Sequence, residues 1–240
     1  MKLIINADDF GLSKSISDGI IEGIKNRYIT STSIMANMPY TEYDIKQAIN
    51  NNIDCIGLHI NLTVGKPIIP NDNIVDENGI FYYNRKQIEN EKLSYEDVFD
   101  EIMAQIEKVN SYSNGLIKID HIDTHHHLCD NENIKQAILN ISNNLNIPTR
   151  NENMGNLKCP DVLYKDFTIN NVNVKSIREM ILKYKDKNII VELMTHPGFI
   201  DEYTKSVTSY IDRELEYNAL MDSSKMGLFD EIQLISFKQI

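Results

Sequence analysis

The stretch "NADDFG", residues 6–11, places two adjacent carboxylates, Asp8 and Asp9, directly after a short apolar run near the start of the chain. Neighbouring carboxylates repel each other, so folding gains nothing from the pair. Catalysis can use it, because one carboxylate can bind a cation while the other accepts a proton, and the cation relieves the repulsion. The alternative is that one of the two only caps a helix that begins near Ser13.

The histidines of the chain also lie at characteristic positions. All six lie at or just beyond the C-terminal end of a predicted strand: His59, His121, His125, His126, His127 and His196. A single histidine in an apolar strand is more often a hydrogen-bonded core residue, but here four separate segments carry carboxylates or imidazoles. Carboxylate oxygen and neutral imidazole nitrogen are ligands of divalent metals, so the joint pattern predicts a metal site.

Strands and helices that position these residues alternate along the whole chain. Buried-strand patterns cover residues 2–6, 31–38, 55–62, 116–123, 188–196 and 231–237. Helical spacing of apolar residues covers 13–26, 41–51, 94–110, 131–145, 173–186 and 206–222. This alternation predicts an α/β protein whose strands, roughly seven and mostly parallel, form a regular or irregular (β/α) barrel. In such a barrel the chemistry collects where the strands end, which is where these carboxylates and imidazoles lie.

Composition narrows the class of protein. A chain of 240 residues, 42% of them hydrophobic, can build one core, and we predict a single domain over residues 1–240. The net charge of −11 argues against binding to nucleic acid. Three widely spaced cysteines predict free thiols in a reducing cytoplasm. Neither a leader nor a membrane-spanning segment is recognisable, which predicts a soluble cytoplasmic protein.

Five segments together resemble a known family: "NADDFGLS", "TSTSIMAN", "GLHINLTVGKP", "HIDTHHHL" and "ELMTHPG". They are similar to the successive motifs of the YdjC-like carbohydrate deacetylases, which include the chitooligosaccharide (diacetylchitobiose) deacetylases. The matches follow the family's order from residue 3 to about residue 200, and "RELEYNALMD" (213–222) resembles its C-terminal helix. The stretches 71–92 and 151–162 carry no such motif, and we predict that they are loops that shape the substrate pocket.

The resemblance implies a (β/α) barrel-like deacetylase fold, distantly related to the NodB-type polysaccharide deacetylases. It also implies a cytoplasmic homodimer that uses one divalent metal, Mg²⁺. By the resemblance, the metal ligands are Asp9, His59 and His125, and the general base is Asp8. On ligand softness alone, two imidazoles and one carboxylate would equally suit zinc, cobalt or manganese.

Hydrolysis of an acetamide needs a nucleophile, stabilisation of the oxyanion and a proton for the departing amine. A divalent metal supplies the first two, and a carboxylate beside the ligands takes the proton of the attacking water. His196, on a different strand, is the predicted general acid, because imidazole titrates near neutral pH. His121 and Asp123 are predicted to orient a metal ligand from behind.

Several assignments stay open at this point. The sequence does not decide which of the three consecutive histidines faces the metal. If the strand continued through them, His125 and His127 would share one side and His126 would turn away. His127 could instead contact substrate. Arg150 could bind an anionic group such as a sugar phosphate, or it could form a structural ion pair.

The predicted function is therefore metal-dependent N-deacetylation of a small N-acetylated sugar. The resemblance points to chitin degradation and to a chitooligosaccharide such as diacetylchitobiose or its 6-phosphate. The alternatives are another metallohydrolase on a similar barrel, such as a phosphoesterase, or a non-catalytic sugar-binding module. Since the chain has no tryptophan, stacking on a sugar must use other rings, and Phe10, Tyr82 and Tyr83 are candidates.

Overall fold

The computed structural model describes residues 1–152, 155 and 158–240 of the chain. The strands in that part are β1 (Lys2–Phe10), β2 (Ser31–Ile34), β3 (Ile56–Ile60), β4 (Ile122–Thr124), β5 (Val162–Tyr164), β6 (Ile190–Thr195) and β7 (Gln233–Leu234). The α-helices are α1 (Lys14–Lys25), α2 (Thr41–Asn50), α3 (Arg85–Ile88), α4 (Tyr95–Tyr112), α5 (Glu132–Leu145), α6 (Val174–Tyr184), α7 (Glu202–Val207) and α8 (Arg213–Lys225).

The strands form one parallel sheet in the order β4-β3-β2-β1-β6-β5, with β7 also paired to β1. The sheet curls into a barrel-like half-shell, so the predicted barrel-like α/β fold is confirmed. β1 lies at its centre, and every residue of β1 except Lys2 is buried. Burial on both faces is typical of a parallel sheet that is covered by helices.

Helix boundaries follow local capping chemistry. The side chain of Ser13 accepts a hydrogen bond from the backbone of Ile16 and caps α1. Ser94 and Asp97 cap α4 reciprocally, which satisfies two backbone donors at once. Of the helices in the described part of the chain, none has the length and apolar character to cross a membrane.

The C-terminal part of the chain differs most from the sequence prediction. The predicted helix 206–222 begins only at Arg213, and the separate short helix α7 precedes it. Strand β5 was not predicted. The strand predicted over 116–123 is reduced to β4, whose three residues pair in register with Leu58 to Ile60 of β3.

One extra segment extends the sheet beyond β4. The backbone of Ile122 donates a hydrogen bond to the carbonyl of Pro148, and the backbone of Arg150 donates to the carbonyl of Ile122. This pairing directs the Arg150 side chain into the interior, toward the carboxylates at the end of β1.

Candidate active site

The two aspartates that end β1 both line one cavity, although adjacent strand residues normally point to opposite faces. The pairing of β1 with β2 is irregular between Ala7 and Phe10, and Asp9 has a φ of 67°. A positive φ is uncommon outside glycine and such backbone strain concentrates at functional sites. Because Ser13 caps α1, the alternative that the aspartates are only helix caps is wrong.

Side-chain atoms of Asp9, His59 and His125, which lie at the ends of three strands, form a triangle. Asp9 Oδ1 lies 3.2 Å from His59 Nε2 and 3.0 Å from His125 Nδ1, and these two nitrogens are 3.2 Å apart. Ligand atoms that bind one ion at right angles, each about 2.1 Å from it, lie about 3 Å from one another. The triangle therefore has the dimensions of one face of a coordination shell.

The electrostatics of the triangle also fit a cation. His59 Nδ1 lies 2.7 Å from the Asp123 carboxylate, so Nδ1 carries a proton, and Nε2 presents a lone pair whenever the ring is neutral. That lone pair faces Asp9 Oδ1, a buried oxygen without a hydrogen-bond donor among the described residues. Two facing acceptors need a positive charge between them, which a metal ion or a proton supplies.

The pKa values of His59 and Asp9 also indicate a site that favours positive charge. Burial alone would lower the pKa of His59, but the negative charges of Asp123 and Asp8 outweigh it and raise the pKa to about 10. Burial would raise the pKa of Asp9, but Arg213 and His125 outweigh it and hold the pKa well below its usual range. Asp9 is therefore ionised, as a carboxylate that binds a metal has to be. The residues present fit the divalent metal that the sequence predicted.

The histidine run leaves the strand before it reaches His126. β4 ends at Thr124, and His126 and His127 have φ values of 66° and 53°. The ring of His126 lies against that of His125, with centroids 3.9 Å apart. The strand-like alternation considered for this run is therefore wrong, and His125 is the member of the run that faces Asp9.

His126 and His127 have separate environments. His126 Nδ1 lies 2.9 Å from the Thr63 hydroxyl, and burial together with the charge of His125 lowers its pKa to about 3. His127 lines the cavity, and its Nδ1 lies 2.6 Å from Glu152 Oε1. Glu152 also accepts hydrogen bonds from Thr124 and Cys129.

Arg150 binds Asp8 from behind. Two guanidinium nitrogens donate to the two Asp8 oxygens at 2.8 and 2.6 Å, and the same guanidinium contacts Asp123 at 3.0 Å and Glu192 at 2.8 Å. Arg150 is buried, so the structure shows the ion pair and not the anion-binding role considered from sequence. Burial would raise the pKa of Asp8, but Arg150 outweighs it and lowers the pKa. Burial and the neighbouring carboxylates raise the pKa of Glu192 to about 7.

His196 lies on the other side of Asp8, at the end of β6. Its Nε2 is 3.8 Å from Asp8 Oδ2, and its backbone N–H donates to Glu216 on α8. Burial would lower the pKa of His196, but Glu216 and Asp8 outweigh it and raise the pKa. Tyr210 donates its hydroxyl proton to the same Glu216 carboxylate.

Each of the two aspartates therefore has its own arginine. Arg213, the first residue of α8, donates from Nη2 to Asp9 Oδ2 at 2.6 Å, while Oδ1 of Asp9 stays directed at the imidazoles. The two arginines offset the repulsion between Asp8 and Asp9 and keep both carboxylates ionised.

The structure does not bring His121 to this cavity. Its ring stacks on Phe237 with centroids 3.9 Å apart, and its Nδ1 lies 2.6 Å from Asp120. The close approach of Gly57 to the same ring leaves no room for a Cβ there. His121 is a buried packing residue in this arrangement, and the predicted role in orienting a ligand falls to Asp123 alone.

The cavity above the site has a volume of about 610 Å³. Its floor consists of the aspartates and histidines described above, and its wall includes Tyr83, Lys165 and Lys205. Tyr83 belongs to the predicted pocket loop 71–92, which is not entirely a loop because it contains the short helix α3. In the other predicted pocket loop, 151–162, residues 153, 154, 156 and 157 lie outside the described residues.

Sequence reasoning missed the charged residues that surround the floor: Glu152, Glu192, Arg213 and Glu216. A signal existed for three of them. Glu192 interrupts the apolar strand "IIVELMT", and Arg213 and Glu216 share the buried face of α8 with Leu220. Charged residues at core positions are almost never buried without partners, so such positions indicate a polar network.

Comparisons with known proteins match nearly the whole chain to one family. The profile of the family described as "YdjC-like protein" matches residues 2–231. The chain is 36% identical, over the full length of both proteins, to a protein of Clostridium beijerinckii named "Carbohydrate deacetylase". It is similar to the crystal structure of a proposed cellobiose-phosphate cleavage protein from Enterococcus faecalis, with 27% identity, a TM-score of 0.89, and 99% and 98% of the two chains covered.

A more distant solved structure shares the fold alone. The peptidoglycan deacetylase PdaC from Bacillus subtilis is 11% identical, with a TM-score of 0.54 and coverage of 99% of this chain and 88% of that chain.

Proposed function

This chain belongs to the YdjC-like protein family, and from that premise we propose that it removes an N-acetyl group from a small sugar in a metal-dependent hydrolysis. The predicted enzyme class, a carbohydrate deacetylase, is confirmed by the family and by the name of the similar curated relative. The observation that carries the proposal is the triangle of Asp9, His59 and His125, with Asp8 and His196 beside it.

In this proposal Asp9, His59 and His125 hold one divalent metal ion. When bound, the ion lowers the pKa of a water molecule and polarises the acetamide carbonyl. Mg²⁺ follows from the family resemblance, and the two imidazoles equally suit Zn²⁺, Co²⁺ or Mn²⁺. Asp123 orients His59 by accepting its Nδ1 proton, which leaves Nε2 free to bind.

Two residues of the chain move protons. Asp8 is held ionised by Arg150, so it is able to accept the proton of the attacking water at neutral pH. Glu216 and Asp8 raise the pKa of His196 above its ordinary value, so the protonated form that can donate to the departing amine persists to higher pH. His196 Nε2 and Asp8 Oδ2 lie 3.8 Å apart at the cavity floor, which is close enough for a base and an acid to act on one bound group.

The proposed substrate is a chitooligosaccharide such as diacetylchitobiose or its 6-phosphate. A cavity of about 610 Å³ lies in the usual size range for a ligand of more than one ring. Lys165 and Lys205 offer positive charge on the wall, which suits a phosphate on the sugar. The name of the similar Enterococcus faecalis protein, with its phosphorylated disaccharide, supports the same class. The cytoplasmic homodimer that the resemblance implies stays a prediction.

The test is acetate release from N-acetylglucosamine, diacetylchitobiose and their 6-phosphates, each with Mg²⁺, Zn²⁺, Co²⁺, Mn²⁺ or a chelator. We expect release from at least one disaccharide, lost with chelator and restored by metal. His59→Ala protein should bind the metal far more weakly than wild type. Release of phosphate without acetate, or full activity in chelator, would contradict the proposal.

A further inference from the structure

Tyr83 is an exposed aromatic ring at the wall of the cavity. It is 61% exposed, although large aromatic side chains usually bury most of their surface. The other candidates for sugar stacking are excluded by position. Phe10 is fully buried, and Tyr82 lines a separate shallow depression beside Asp76 and Gly79. A second tyrosine of the cavity, Tyr210, is already engaged with Glu216 through its hydroxyl.

The segment that carries Tyr83 is firmly anchored to the barrel. The buried side chain of Gln87 donates hydrogen bonds to the carbonyls of Leu62 and Ile74, both at 2.9 Å. The backbone of Phe81 donates to the carbonyl of Gly65 at 2.9 Å. The backbone that carries the exposed ring is therefore anchored by contacts on both sides of it, and an anchored segment loses less entropy when it binds a ligand.

The distance of Tyr83 from the predicted metal ligands determines which part of a bound sugar its ring can contact. Its ring lies 5.1 Å from that of His126, and His126 in turn lies 3.9 Å from the ring of His125. Because the imidazole of His126 stands between them, Tyr83 is one ring removed from the predicted ligand set. A sugar whose acetamide is at the floor would lie beside His126, and the next sugar along would reach Tyr83.

We propose that Tyr83 is a specificity-determining residue, a stacking platform for the sugar next to the one that carries the scissile acetamide. The inference rests on the proposed function for the identity of the ligand. An aromatic face pairs with the apolar face of a sugar ring, and this contact forms in substrate and product alike. It should therefore change KM and Kd for disaccharides and leave kcat nearly unchanged.

The test compares Tyr83→Ala, Tyr83→Phe and the matched control Tyr82→Ala on diacetylchitobiose and on N-acetylglucosamine. Tyr83→Ala should raise KM for the disaccharide about 3- to 10-fold, while kcat/KM for the monosaccharide stays within about twofold. Tyr83→Phe and Tyr82→Ala should behave like wild type. Equal losses on both sugars, a loss confined to kcat, or an equal effect of Tyr82→Ala would overturn the inference.

A binding measurement separates this inference from the proposed function. Chitobiose carries no acetyl group, so its binding by calorimetry does not depend on turnover. Wild-type protein should bind chitobiose, and Tyr83→Ala should raise the Kd for chitobiose about 3- to 10-fold. If wild type binds chitobiose but releases no acetate from any sugar, the proposed function fails and the weaker binding by Tyr83→Ala still supports the platform. If wild type does not bind chitobiose, the platform is wrong.

Discussion

The ligand side of the site differs from its acid–base side in how its charges are matched. The ligand side consists of Asp9, His59, His125 and Asp123. The acid–base side consists of Asp8, Arg150, Glu192, His196 and Glu216. On the acid–base side, both oxygens of Asp8 accept hydrogen bonds from Arg150. On the ligand side, Asp9 Oδ2 accepts a hydrogen bond from Arg213, whereas Asp9 Oδ1 lies 3.2 Å from His59 Nε2 and has no hydrogen-bond donor among the described residues.

The difference indicates what each side does. Buried polar atoms are normally satisfied, so a group of acceptors that converge without a donor indicates a binding site for a cation. A carboxylate fully matched by an arginine is instead fixed in its charged form. The two adjacent aspartates thus have different environments at one strand end, which supports the separate tasks proposed for them.

The strongest test of this comparison is the pair Asp8→Asn and Asp9→Asn. Asp8→Asn keeps the shape and removes the base, so turnover should fall on the order of 10²–10⁴-fold while the metal stays bound. Asp9→Asn removes a charged ligand, so metal affinity should fall and excess metal should partly restore activity. Metal content and acetate release, measured on the same preparations, distinguish the two.

Equal loss of metal in both variants would make Asp8 a ligand and place the base elsewhere. Full turnover in both would remove the deacetylase mechanism itself. Circular dichroism controls for folding, since each asparagine variant loses one partner of a buried arginine.

Arg150→Met tests the acid–base side through stability. The change leaves Asp8, Asp123 and Glu192 buried without their shared cation, and breaking a buried ion pair typically costs about 3–5 kcal/mol of unfolding free energy. Urea unfolding of metal-free protein measures the loss. Arg85→Met is the control, because Arg85 pairs with Glu89 on the surface and should have little effect. Matching losses in the two variants would contradict the network.

The two sides also differ in how far sequence could predict them. A metal site was predictable because carboxylates and imidazoles follow several strands, and parallel strands end at one edge. The choice of Asp9, His59 and His125 came from the family resemblance. Arg150, by contrast, meets Asp8 across 142 positions of chain, and no local pattern encodes that pairing. The left-handed backbone at Asp9 and His126 was equally hidden, because it depends on the tertiary contacts that overrule strand geometry.

The fold shows the same division. Long amphipathic helices and central strands such as β1 and α4 follow from periodicity, which is a local property of the sequence. Short elements such as β5 and α7 do not, because pairing with β6 or capping by Asp201 determines them more than any apolar pattern.

Asp123→Asn tests the ligand side through metal affinity, and its expected effect is smaller than that of Asp9→Asn. Asp123 does not belong to the ligand triangle, but it fixes the tautomer of His59. Loss of such an outer partner typically costs 10–100-fold in metal affinity. Asp120→Asn is the matched control, because Asp120 contacts His121 outside the cavity and should leave the affinity unchanged. Titration of metal-free protein with Zn²⁺ or Mn²⁺ gives the affinities, and unchanged binding in Asp123→Asn would show that His59 is oriented without it.

The smallest effect is expected from Glu216→Gln, and it is visible only in the pH profile. His196 must carry its proton to act as an acid, so activity should fall as the pH rises through the pKa of His196. Burial would lower this pKa, but Glu216 and Asp8 hold it above its usual value. Removal of the Glu216 charge lowers that pKa, so the basic limb of kcat/KM should move to lower pH, while the acidic limb, which reports Asp8, should stay in place. Glutamine keeps one oxygen to accept the backbone N–H of His196, which limits the structural change.

Glu214→Gln on the same helix is the control, because Glu214 contacts the backbone of Ile200 and not His196. A basic limb that does not move in Glu216→Gln, or that moves equally in Glu214→Gln, would assign the proton donor to a group other than His196.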